Sequence, residues 1–99
     1  MQNLGAMMKQ VQEMQTRMQD MQTKLGQMSV VGQSGGGLVK ITLNGKGALT
    51  GADIDQSLLK REEKEILEDL IAAAHADAKG RLEQVVAEEM KAVTGGLPL

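Results

Sequence analysis

Lys9, Arg17 and Lys24 stand eight and seven residues apart, about two helical turns each, so on a helix all three cations lie along one side. A row of cations at that pitch can neutralise successive phosphates of a nucleic-acid backbone, a contact that carries affinity and salt dependence but no sequence information. Lys79 and Arg81 form a second group, and Lys40 and Lys46 are lesser candidates. On residue types alone, ordinary solubilising charges on a coiled arm are the simpler account of all of them.

Other chemistry finds little support. His75 is the sole histidine, in an alanine-rich run with Asp77 two positions away, a helical spacing that turns the two side chains apart. One histidine makes neither a dyad nor a metal site, which points to a structural role. Asp53 and Asp55 share one face of a strand end and could in principle hold a cation, but turn and helix-start duty is the commoner use of aspartate there. Neither Ser34-Gly35-Gly36-Gly37-Leu38 nor Asn44-Gly45-Lys46-Gly47-Ala48 fits a phosphate loop, which needs Gly-Lys-Ser/Thr after the first glycine and four intervening residues. No catalytic residue, metal, cofactor or small-molecule substrate is therefore expected, and the protein is read as not an enzyme.

The 99 residues include no cysteine and no Phe, Tyr or Trp. Disulfides and thiolate metal sites are excluded, as is the aromatic stacking that usually holds single strands and splayed RNA bases. The net charge of −2 disfavours nucleic acid on average, but residues 1 to 60 carry six basic groups against four acidic, and residues 61 to 99 carry five against nine. Any anion-binding surface is local and belongs to the N-terminal half. The N-terminus leads into a polar amphipathic stretch, and no run is long enough to cross a bilayer, so a cytoplasmic protein is expected, with no membrane partner.

These side chains need elements to hold them. Leu4, Met7, Val11, Met14, Met18, Met21, Leu25 and Met28 alternate spacings of three and four, a coiled-coil stripe that predicts one helix over residues 3–28, about 39 Å long. Among the eight methionines this regularity favours an internal packing seam over a promiscuous groove. From Ser29 the period becomes alternating and predicts three short strands within about 29–54, a meander turned by the two glycine stretches. Val39, Ile41 and Leu43 then face a core, and Lys40, Thr42 and Asn44 face water. A second long helix follows over about 60–93, its pattern dense from about Glu62 and its acidic opening Glu62-Glu63-Lys64-Glu65 suited to the dipole. Gly80 is a point where it could bend, and Thr94-Gly95-Gly96 with Pro98 should stop it and leave a short C-terminal tail. The simplest packing lays the methionine stripe against the small residues Ala72, Ala73, Ala74, Ala76, Ala78 and Gly80. The sheet has two open edges, which a second copy related by a two-fold axis would hide. The fold class is α+β, and residues 1–99 form a single domain.

Asn3-Leu4-Gly5-Ala6-Met7-Met8-Lys9-Gln10, the block Ser34 to Gly47, Leu67-Glu68-Asp69-Leu70-Ile71-Ala72-Ala73-Ala74 and Thr94-Gly95-Gly96-Leu97 resemble the YbaB/EbfC family of nucleoid-associated proteins nearly end to end. The resemblance implies a helix, three antiparallel strands and a helix, in a homodimer whose sheets join and whose helices project as paired arms. It also implies a location at the nucleoid and binding of double-stranded DNA, with nucleoid organisation or gene regulation as the role, and it tips the balance towards Lys9, Arg17, Lys24, Lys79 and Arg81, the cations singled out by type and spacing, as contacts to phosphates. This chain departs from the family pattern at Gly51, within the third strand, at Gln56, where proline is frequent, and at Ala76, where asparagine is common. The competing expectation is a protein-binding scaffold that uses the arms or a sheet edge.

Overall fold

A hydrophobic alternation with glycine turns on either side folds the middle of the chain into a meander, and everything else is placed by it. In the computed structural model, which describes residues 3–94 with side chains to residue 91, helix α1 (Leu4–Gln27) leads into strands β1 (Ser29–Ser34), β2 (Val39–Asn44) and β3 (Leu49–Ile54), and helix α2 (Lys64–Thr94) follows. The sheet is antiparallel in the order β1-β2-β3. Gly35, Gly36 and Gly37 turn the first hairpin with φ of 62°, 69° and 98°, values that L side chains rarely adopt. In the second hairpin Asn44 Oδ1 accepts from the backbone N–H of Lys46 and Ala48 at 2.9 and 3.0 Å, so the side chain mimics a backbone turn.

Val39, Ile41 and Leu43 of β2 point inward and are essentially buried, with Val30 of β1 beside them. Against this face α2 lays Leu67, Leu70, Ala74, Ala78, Leu82, Val85 and Val86. The approach is closest at Gly32, where a Cβ would lie 2.5 Å from Ala78 Cα and closer still to Ala78 N and Ala74 O. The small residues of α2 therefore seat a strand glycine. They do not receive the methionine stripe, which corrects the packing expected from sequence: α1 buries no residue, and Leu4, Met7, Val11, Met14 and Met18 are all more than half exposed. Composition could not separate these arrangements, since alanine and glycine admit a strand and a helix equally.

The second helix also begins later than its composition suggests. Asp55 caps a short 3-10 turn at Gln56–Leu58, accepting from Ser57 N at 3.0 Å and Ser57 Oγ at 2.6 Å, and a second such turn covers Arg61–Glu63. The first of these turns carries Leu58 into the core. Glu62 and Glu63 precede α2, and Glu65 lies in its first turn, where they favour the dipole. The helix runs through Gly80 unbroken. The glycine stop and proline at Gly95, Gly96 and Pro98 lie outside the described residues.

With α2 over β1 and β2, β3 is left at the side, and its Leu49 is 60% exposed. The edge of β1 is closed differently: Gln33 N donates to Asp77 Oδ2 at 3.0 Å and Ser34 Oγ donates to Leu70 O at 2.6 Å. The bond from Gln33 and the Arg81 guanidinium hold the Asp77 carboxyl below its ordinary value of 3.8. A carboxylate whose folded pKa is depressed adds stability above its unfolded pKa, and that stability is lost as pH falls through the folded value. Asp77→Asn should therefore destabilise the protein at about pH 7 and converge on the parent at a pH below the depressed folded value. Urea melts followed by circular dichroism at both pH values test this, and a pH-independent difference would contradict it.

Candidate nucleic-acid interface

The radius of gyration is 19.9 Å, against about 13 Å for a compact domain of this length. The excess is α1. Its last turn is pinned to the second hairpin, where Gly45 N donates to Leu25 O at 2.7 Å. A Cβ on Gly45 would come within 2.8 Å of Leu25 Cα, so only glycine allows that seat. Beyond it α1, which spans Leu4–Gln27, projects as an arm about 32 Å long, and the molecule measures 73 × 22 × 15 Å.

Lys9 and Arg17 stand exposed on this arm and make no ion pair among the described residues. The row is not uniformly positive, because Glu13 falls one turn from each of them and Asp20 one turn from both Arg17 and Lys24. Lys24, at the arm's base, is engaged: its Nζ lies 2.6 Å from Glu89 Oε2 of α2. Lys46 lies beside Gly26 and adds a cation to this junction. On α2, Arg81 Nε donates to Asp77 Oδ2 at 3.1 Å, while Lys79 is exposed without an ion pair among the described residues. The five candidates thus divide into three available cations, Lys9, Arg17 and Lys79, and two held by carboxylates, Lys24 and Arg81. Lys40 points to the outer face of the sheet, opposite Asp53 of β3.

Sequence reasoning missed Glu89, whose partner is 65 positions away and left no local signal. The Asp77–Arg81 pair did have one, the i,i+4 spacing.

No group of three or more potential metal ligands comes together among the described residues, and Asp55 caps a turn. His75 lies exposed on α2. A shallow hollow of about 380 Å³ is lined by Leu58, Leu59, Lys60, Arg61, Lys64 and Leu67 and offers no acid and base in convergent geometry. None of the helices described is long and apolar enough to cross a membrane.

The sequence matches the YbaB/EbfC DNA-binding family over residues 1–97. It is 52% identical to a nucleoid-associated protein of Brucella anthropi and 50% identical to one of Brucella ovis, in each case over the whole of this chain and 92% of the relative. The fold is similar to that of the uncharacterized protein HP0035 from Helicobacter pylori, seen in a crystal structure, with a TM-score of 0.77 at 24% identity over 91% of this chain and 95% of that one. With its helix, meander and helix in place and its match nearly end to end, this chain belongs to the YbaB/EbfC family of DNA-binding, non-enzymatic proteins.

Proposed function

We propose that this protein is a cytoplasmic, nucleoid-associated homodimer that binds double-stranded DNA mainly through its phosphates and serves nucleoid organisation or gene regulation. The observation that carries the reading is the projecting arm, cationic at Lys9 and Arg17 and apolar along a coiled-coil stripe that its own core leaves uncovered. Such a stripe calls for a partner helix. Two copies give the arms mutual cover and double each row of cations. The joining edge is β3, since α2 does not cover this strand, whereas α2 side and main chain atoms tie down β1. The overall charge of −2 makes contact local to the arms and Lys79, and binding should be broad in sequence and strongly salt-dependent.

A salt titration on several unrelated duplexes, with protein of verified dimeric mass, tests this. Lys9, Arg17 and Lys79 from two copies should give a slope of log K against log salt of about −5, and one of about −9 if Lys24 and Arg81 also exchange their carboxylates for phosphates. A monomer that ignores duplex DNA at low salt would overturn the reading and favour arms that clasp another protein.

A further inference from the structure

We propose that Asn44–Gly45 is a site of spontaneous deamidation that the seated root of α1 holds closed, so that a subunit whose arm works loose is altered irreversibly at the joint that carries it. The chain has two asparagines, Asn3 before Leu4 and Asn44 before Gly45. Asparagine is one of the thermolabile residues, and a glycine after it, having no Cβ, leaves the attacking main-chain nitrogen unhindered. The reaction consumes water and releases ammonia with no change of oxidation state. Gly45 N loses its proton and attacks Cγ of Asn44, the bond from Cγ to the amide nitrogen breaks, and ammonia leaves with that proton. Water then opens the five-membered imide at one carbonyl or the other. One product is aspartate. The other is isoaspartate, whose main chain runs through Cγ and is one carbon longer.

The fold holds both reacting groups. Gly45 is buried and its N–H is committed to Leu25 O at 2.7 Å, which keeps the proton on the nucleophile. The Asn44 carboxamide accepts from Lys46 N and Ala48 N at 2.9 and 3.0 Å, and Asn44 ends strand β2 with its own N–H donating to Ala48 O at 2.9 Å. Ring closure has to break the Leu25 bond and both carboxamide bonds, and at about fivefold in population for each, the arrangement slows the reaction by about a hundredfold. All these bonds lie within one subunit, so a partner that covers the α1 stripe or the β3 edge leaves them in place. The Leu25 bond also fixes the arm, so the opening that frees the arm frees the nucleophile. The isoaspartyl product cannot close it again, because the extra main-chain carbon displaces Gly45 from a seat with no room even for a Cβ. The aspartyl product can, since a carboxylate oxygen accepts from the same two N–H groups.

The effect on DNA rests on the function proposed above, so the test has readouts that do not. Protein is incubated in mildly alkaline buffer, folded and in urea. The Asn44 peptide is followed by mass spectrometry, isoaspartate by labelling with an isoaspartyl methyltransferase, and the Gly45 amide by hydrogen exchange. Deamidation should be at least about thirtyfold slower in the folded protein than in urea. Lys24→Glu, which sets two carboxylates together at the root of the arm beside Glu89, should speed Asn44 deamidation and Gly45 exchange by about threefold, and Lys24→Glu with Glu89→Lys should restore both. Protein converted to isoaspartate should lose its Gly45 protection and bind duplex DNA at least about tenfold more weakly, whereas Asn44→Asp should keep both properties. A folded rate within about threefold of the rate in urea, a Lys24→Glu rate equal to the parent's, or full Gly45 protection in the isoaspartyl form would each overturn the proposal. Failure of the untreated protein to bind DNA would instead sink the functional reading, with peptide masses and hydrogen exchange still deciding this one.

Discussion

Gly32→Ala should destabilise the protein by about 3 kcal/mol or more, enough to unfold much of a chain of ordinary marginal stability. The added carbon has nowhere to go. It would meet main-chain atoms of α2 at Ala74 and Ala78, and backbone cannot rotate away as a long side chain can. Relief requires lifting α2 off β1 along its closest contact, which also pulls Asp77 from Gln33 N and Leu70 O from Ser34 Oγ. Gly80→Ala is the matched control. It lies in the same helix with nothing within 4 Å, and the substitution should stabilise by about 0.5–1 kcal/mol through helix propensity. Thermal melts by circular dichroism compare the two, and a Gly32→Ala melt within a few degrees of the parent would show that α2 does not pack as described.

Reversing Lys9 and Arg17 to glutamate should abolish detectable DNA binding near physiological salt. Each phosphate contact at about 0.1 M salt is worth close to tenfold through counterion release. In the proposed dimer, four lost contacts, before any repulsion, should weaken binding by at least a hundredfold and make the salt slope shallower by about 3 to 4. Lys24 is left in its ion pair with Glu89, so the arm keeps its attachment. Because Glu13 lies one turn from both positions, reversal also costs the helix a few tenths of a kcal/mol. The neutral pair Lys9→Gln and Arg17→Gln avoids that cost and should still weaken binding by more than tenfold. Retardation unchanged by either pair would move the DNA contact off the arm.

Much of this architecture was legible because it depends on local regularities. The alternation Val39, Ile41, Leu43 fixed the inner face of β2, the glycines at 35–37 and 47 fixed where the chain turns with positive φ, and the alternating threes and fours of α1 fixed its length to within two residues. What could not be read depends on which surface meets which. An apolar stripe shows that a helix has a contact face, not whether the cover comes from its own chain, and here the stripe stands open. The small residues of α2 marked a close approach without marking its partner, Gly32. Among the cations, spacing showed that Lys24 shares a face with Lys9 and Arg17, but its neutralisation by Glu89 follows from tertiary placement alone.

The attachment of α1 at a single end makes it a lever. Its pivot is the Gly45–Leu25 hydrogen bond with the Lys24–Glu89 pair beside it, and its free end lies about 32 Å away. Tilting the base by about 10° sweeps the tip through about 6 Å, the width of a minor groove. A small rotation at this root is therefore magnified into a large displacement at the tip, while the sheet at its base stays still.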